Sequence, residues 1–391
     1  MKKSNKFFKH MKKALFGTLI TVMLFAFSGC NEADIKINTE QDSDTYVENE
    51  DYQYFLNLYS NFAKTDKGYY FIQNNLLYFF DKDNNELTLV CNKINCAHND
   101  EHCTAYFSVF SFFPIQLSYY DNALYLLGWE QDGANIHKNY IYQISLDNFK
   151  RKKVVYIGNS NGLSNTVFII HRGYVYYFSG TNTMRENTAV LYRKQLGNLN
   201  EKAEGETVFE YAGIGAAIQD ISAYGNHIFV SAADYANESG DGYRTSFNSV
   251  DIHTLQSKQI LENNLFAAYT DSDFIYYEKD ENTVARIDLK TGNEYPFCEI
   301  DGPCYISADN NYIYFDNLQA VYIDKTDEKN RKITVCDKNG NYVAEVIPQE
   351  PKDECYFGGD DYMFFKDMSK NEVYAFDKSQ LATQNRQFIH L

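Results

Sequence analysis

The sequence predicts an all-β fold, a β-propeller of seven four-stranded blades, with six or eight blades as the alternatives. Three observations carry the prediction. A short aromatic phrase returns seven times across the 391 residues, and a recurrence of this kind marks a repeat architecture. The phrase does not alternate apolar with polar side chains, so neither face of its strand is solvated; a strand covered on both sides reads as a continuous apolar run. Hairpin signals follow the phrase at matching places. Stacked propeller blades cover both faces of their inner strands and give this signature in an antiparallel protein.

The clear copies are Tyr-Val-Tyr-Tyr-Phe at 174–178, Phe-Ile-Tyr-Tyr at 274–277, Tyr-Ile-Tyr-Phe at 312–315 and Tyr-Met-Phe-Phe at 362–365. Weaker copies begin at Gly68, Ala123 and His227. Tyr, Phe, Ile and Val fill a packed, pleated surface, and a Tyr ring packs while its hydroxyl reaches a partner. The sixth unit divides into four strands, 304–307, 312–316, 332–337 and 342–347, the last two joined by Asp337-Lys338-Asn339-Gly340-Asn341. Residues 285–294, 373–377 and 141–146 are the counterparts in the fifth, seventh and second units. A stack of β-sandwich domains is the main rival; it calls for linkers, and the sequence has none after Asp51.

Residues 1–29 read as a targeting segment. Lys2, Lys3, Lys6, Lys9, Lys12 and Lys13 form its basic start, and the apolar run 14–27 is short for a membrane span. The run ends in Phe27-Ser28-Gly29-Cys30, which is similar to a bacterial lipobox, with Phe27 where Leu is usual. That resemblance implies cleavage before Cys30, lipidation of Cys30 with diacylglycerol and palmitate-type chains, and anchorage at the extracytoplasmic face of a bacterial membrane. Residues 30–51, with Glu32, Asp34, Glu40, Asp42, Asp44, Glu48, Glu50 and Asp51, read as an acidic flexible tether. Residues 52–391 form the single propeller domain.

The formal charge is −17; residues 1–29 carry six lysines and no acids, so their removal takes it to −23. Nucleic acid and anionic lipid surfaces are poor electrostatic partners for such a chain. Acidity that keeps a surface protein soluble is the simpler account.

With Cys30 given to lipid, seven cysteines remain: Cys91, Cys96, Cys103, Cys298, Cys304, Cys336 and Cys355. Cys91, Cys96, His98 and Cys103 stand in a C-x4-C-x-H-x4-C pattern with His102 as a spare. Three thiolates and an imidazole make a tetrahedral zinc set. A loop with several cysteines outside the cytoplasm is more often disulfide-bonded, so the disulfide ranks ahead of zinc, and both ahead of redox catalysis. Cys304 and Cys355 occupy equivalent strand positions and read as small buried thiols; Cys298 and Cys304 are near enough in sequence to pair. Tyr-rich repeats behind a lipobox, with a Cys-Asn-Lys-x-x-Cys-x-His-x-x-x-x-Cys loop closing the first unit, resemble predicted propeller lipoproteins of clostridial gut bacteria. That resemblance implies fold and location and adds no catalytic residue.

No established catalytic motif is present. Asp81-Lys82-Asp83-Asn84-Asn85-Glu86 begins like a calcium loop but has Glu86 where that loop needs Gly, so it reads as a turn. The hairpin 285–294 is similar to those of quinone-cofactor propellers, with Tyr295 in place of the docking Trp. Trp129 is the one Trp against 34 Tyr, so glycan stacking would rest on tyrosines. His137, His171, His227, His253 and His390 are scattered. The polar loops 181–187 and 233–242 are the candidates for a binding face, because loops on a rigid scaffold carry function. The expected function is a binding or scaffold propeller for an extracellular protein, peptide or glycan. The alternatives are a glycan hydrolase or lyase with acids in the channel, and a metal-dependent sensor using the cysteine loop.

Overall fold

Each copy of the aromatic phrase forms the second strand of an antiparallel four-stranded blade, two of which merge into one sheet. The computed structural model describes residues 44–391 apart from 54–60, 92, 109–111, 113–115, 133–135, 162–165, 181–182, 264–267, 272, 281, 319–330, 351–353, 358–360, 368–369, 371 and 384–385. The signal segment, Cys30 and the tether up to residue 43 lie outside the described residues.

Blade 1 is β1 (Phe62–Thr65), β2 (Gly68–Gln73), β3 (Leu76–Asp81) and β4 (Glu86–Leu89). Blade 2 is β5 (Ser118–Tyr120), β6 (Ala123–Gln131), β7 (Ile136–Ser145) and β8 (Arg151–Asn161). Blades 3 and 4 form one continuous sheet: β9 (Thr166–His171), β10 (Tyr174–Ser179), β11 (Glu186–Gln195), β12 (Glu206–Tyr224), β13 (His227–Tyr235), β14 (Tyr243–Asp251) and β15 (Ser257–Asn263). The long β12 serves both. Residues 206–214 pair with β11 as the outer strand of blade 3, and residues 217–224 pair with β13 as the inner strand of blade 4. The register shifts between Ile214 and Ala217, where Gly215 has φ +64°, a left-handed conformation that glycine adopts without steric cost. Blade 5 is β16 (Ala268–Thr270), β17 (Phe274–Asp280), β18 (Thr283–Asp288) and β19 (Glu294–Glu299). Blade 6 is β20 (Tyr305–Ala308), β21 (Tyr312–Asp316), β22 (Ile333–Asp337) and β23 (Tyr342–Val346), and blade 7 is β24 (Glu354–Phe357), β25 (Tyr362–Asp367), β26 (Glu372–Asp377) and β27 (Phe388–His390).

The aromatic phrase is buried on both faces, and each face belongs to a different neighbour. Ile275 and Tyr277 pack with Phe229 and Phe247 of blade 4, while Tyr276 packs with Ile313 and Phe315 of blade 6. Tyr314 in turn joins Met363 and Phe365 of blade 7. The ring closes without strand exchange, since blades 1 and 7 are each built from consecutive strands. Closure comes from packing: Phe62, Tyr69, Phe71 and Phe80 of blade 1 share one cluster with Tyr362, Phe364, Val373 and Ala375 of blade 7.

A polar clip repeats between blades. Asp271 accepts the backbone N–H groups of Asp273 and Phe274 and the Tyr276 hydroxyl, and takes Lys338 Nζ of blade 6 at 3.1 Å. Asp309, at the matching place, accepts Asn311 and Tyr312 N–H and the Tyr314 hydroxyl, and is ion-paired with Lys378 of blade 7. At the closing junction the clip is looser: Lys82 Nζ meets Asp361 at 3.2 Å with both side chains partly exposed.

Residues 44–51, expected as free tether, are docked. Asp51 is buried and ion-paired with Arg172 at 2.8 Å; Tyr52 N–H donates to His171 Nδ1, Arg172 N–H to Glu50 O, and Asp121 N–H to Asn49 O. Asn226 reaches Asp44 at 3.0 Å. The segment therefore straps the turns between the first and second strands of blades 2, 3 and 4.

Candidate metal centre

Cys91 leaves the outer strand of blade 1, its N–H bonded to Leu89 O at 2.8 Å. The loop then reverses at Asn95 (φ 57°) and His98 (φ 55°), left-handed positions that Asn and His tolerate better than most residues. Cys103 N–H donates to Asp100 O at 3.0 Å, and residues 105–107 run beside β3, with Leu77 N–H on Ala105 O and Phe107 N–H on Asn75 O. Arg151, the first residue of β8, reaches over from blade 2. Its Nη2 donates to the carbonyls of Cys103, Thr104 and Tyr106, and its guanidinium lies 4.0 Å from the Phe107 ring centroid. The loop thus fastens blade 1 to blade 2, over a core that includes Ile72, Leu77, Leu124 and Leu126.

The structure brings the four sequence-derived ligands together. One donor atom each of Cys91, Cys96, His98 and Cys103 lies within 4.8 Å of all the others, and His98 Nδ1 is 3.3 Å from Cys103 Sγ. Donors around tetrahedral zinc stand roughly 3.5–4 Å apart, so the set fits that ion with a small contraction. All three cysteines are free thiols here. A disulfide would use two of them and would give the imidazole nothing to do. The spare, His102, is exposed and turned to Asp100 at 3.4 Å. Burial pushes the Cys91 thiol up, but hydrogen bonds from Lys93 N–H and from the Cys103, Cys96 and Thr104 side chains outweigh it and bring Cys91 down to about 6. Burial dominates at Cys103, which is pushed up to about 11. Three thiolates and one imidazole on a divalent ion would leave one net negative charge, beside which Arg151 is already seated.

The other sequence candidates resolve as structure. Asp81 Oδ1 caps its own turn by accepting Asp83 and Asn84 N–H. Trp129 is buried in blade 2. His171 is wholly buried between Tyr52 N–H and Gly225 O, His227 meets Ser249, and His253 meets Asn226. Loops 181–187 and 233–242 meet at the far end of blades 3 and 4, apart from 181–182, which lie outside the described residues. A Cβ on Gly240 would come within 2.9 Å of Met184 Cε, and one on Gly215 within 3.1 Å of the Tyr235 ring and 3.2 Å of Thr183 O. Asp234, buried at that end, holds Arg244 and the Tyr211 hydroxyl.

Two features escaped the sequence. A cleft of about 560 Å³ between blades 2 and 3 is lined by Tyr156, Tyr177, Tyr192, Lys194, Glu201 and Glu204; its lining comes from separate strands and a loop of two blades, so no local pattern marked it. Asp220, on the inner strand of blade 4, keeps an exposed side chain although it is ringed by protein whose desolvation raises its carboxyl above the usual range, and it lies near Tyr52 of the strap.

No family model matches the chain. No curated protein matches it either. Among solved structures it is similar to an oligogalacturonate lyase of Vibrio parahaemolyticus (8% identity over 64% of this chain and 71% of that one, TM-score 0.41). It is also similar to BamB of Moraxella catarrhalis (8% identity, 71% and 87%, TM-score 0.37) and to the AfRom2 CNH domain (9% identity, 87% and 96%, TM-score 0.39). At these scores the propeller assignment stands on the chain's own sheets.

Proposed function

We propose that the protein is an extracytoplasmic lipoprotein, anchored through Cys30, whose propeller is a binding scaffold with a zinc-fastened first junction. One observation carries the reading. The strap formed by residues 44–53 crosses the turns at one end of the strands of blades 2–4, whereas loops 183–187 and 233–242 stand at the other end. The β13 strand (His227–Tyr235) that separates these ends spans about 30 Å at strand rise. The chain enters the propeller at the strapped end, and the paired loops at the other end are left clear of that entry for an extracellular protein, peptide or glycan.

Fractionation of cells expressing the full chain tests the anchor: wild type is expected in the membrane fraction and Cys30→Ala in the soluble fraction, and equal partitioning overturns it. Metal analysis of the purified domain tests the junction: one zinc per chain is expected, lost with Cys96→Ser or His98→Ala, and a disulfide among Cys91, Cys96 and Cys103 overturns it. Glycan and peptide arrays test the binding role, with retained ligands expected to be lost on loop substitution. Turnover of a retained glycan that stops with Asp220→Asn would favour the enzyme reading instead.

A further inference from the structure

A second group of thiols lies outside the candidate metal centre, at the junction of blades 5 and 6. Cys298 is on β19, the outer strand of blade 5, and Cys336 is on β22, the third strand of blade 6. Both belong to one packed cluster with Val284, Ile306 and Phe315, and the neighbouring thiol is the main influence on each, raising Cys298 and lowering Cys336. The approach is enforced by backbone: Gly340, in the hairpin after β22, sits so close to blade 5 that a Cβ there would lie 2.3 Å from Phe297 O. Arg286 Nη1 on Lys338 O at 2.9 Å holds the same hairpin from the blade 5 side. Cys304, the neighbour that sequence spacing suggested as a partner for Cys298, is committed elsewhere. It is buried, its N–H donates to Glu278 Oε1, and its thiol is hydrogen-bonded to the same carboxylate.

We propose that Cys298 and Cys336 are a redox pair that closes to an inter-blade disulfide when the protein meets a small disulfide oxidant. Cys298 is partly accessible and Cys336 is buried behind it, which sets the order of events. Their contact favours the proton on Cys298, so attack begins when Cys298 hands its proton to the Cys336 thiolate; the resulting Cys298 thiolate attacks one sulfur of the oxidant, the oxidant's S–S bond breaks and the first thiolate leaves. Cys336 Sγ then attacks Cys298 Sγ, the mixed disulfide breaks, and the second thiolate leaves. The two cysteines lose two protons and two electrons, and the oxidant is reduced to two thiols. The product ties blade 5 to blade 6 through a loop that includes all of β20 and β21, so it constrains the unfolded chain and stabilises this part of the ring. An oxidising setting rests on the extracytoplasmic reading, but the chemistry does not depend on the anchor.

The test is peptide mapping of the purified domain after exposure to oxidised glutathione, with blocked free thiols. A Cys298–Cys336 cross-linked peptide is expected, retained in Cys304→Ser, accompanied by a rise of a few degrees in melting temperature that dithiothreitol reverses. In Cys336→Ser, glutathione is expected to stay on Cys298. Blocked thiols at both positions, stable glutathione on Cys298 of the wild type, or a Cys298–Cys304 link would each overturn the proposal. Because the domain is assayed in solution, failure here is distinct from failure of Cys30 to anchor the chain.

Discussion

Blades 5 to 7 and blades 2 to 4 are built from the same repeat and differ in what was added to it. In the first arc the described strands are short, three to seven residues, and the junctions from blade 5 to 6 and from 6 to 7 use the same clip: Asp271 with Tyr276 and Lys338, then Asp309 with Tyr314 and Lys378. In the second arc seven of the eleven strands run nine to nineteen residues, two blades share β12, one end is strapped by residues 44–53, and the other carries the paired loops. The regular arc spends its polar residues on holding neighbours together. The extended arc places its added residues in a docked strap at one end and in paired loops at the other.

The comparison breaks most visibly at the Asp309–Lys378 clip. Lys378→Met leaves the fully buried Asp309 without its cation, a loss expected to cost about 3–5 kcal/mol in urea denaturation, with Asp309→Asn in the same chain recovering part of it. Acid acts on the extended arc through His171. Burial lowers His171 to about 4 although Asp51 is close by, and its Nδ1 must stay unprotonated to accept Tyr52 N–H. The unfolded chain takes up this proton near 6.5 and the folded one only near 4, so stability is complete above the upper value and falls as pH drops between them. The expected loss is about 3 kcal/mol, and His171→Gln, compared with wild type at pH 4.5 and 7, should flatten that slope. At the closing junction the ion pair is solvated, with Lys82 27% and Asp361 47% exposed; Lys82→Met should cost at most about 1 kcal/mol in the same denaturation assay.

What the sequence disclosed follows from where each constraint lies. The aromatic phrase was legible because successive side chains, such as Ile275 and Tyr276, face different blades and must all be apolar. The cysteine loop was legible because its four donors fall within thirteen residues. The preference for a disulfide there was set by compartment, since nothing in spacing shows that His98 turns inward. The shared strand β12 was hidden, because glycine inside a strand ordinarily marks a break and β12 holds both Gly213 and Gly215. Gly213 instead lets Asp234 approach, a Cβ there falling 2.4 Å from its carboxylate. The strap was hidden because the cation that pairs with buried Asp51 is Arg172, 121 residues away. Cys298 and Cys336 were hidden for the same reason: their nearness is made by two blades stacking.

The smallest effect on stability should come from the paired loops, and there the two arcs separate most cleanly. Met184 is 44% exposed and touches the partner loop at Gly240. A thioether is flexible and polarisable and adapts to varied apolar ligands. Met184→Ala removes surface that no core depends on, so denaturation should shift by less than about 0.5 kcal/mol, while retention of the array-selected ligand should fall several-fold. A stability loss above about 1 kcal/mol would place Met184 among the residues that hold blades 3 and 4 together. A ligand unaffected by the change would move the binding face elsewhere, with the cleft between blades 2 and 3 as the next surface to alter, through Lys194→Met.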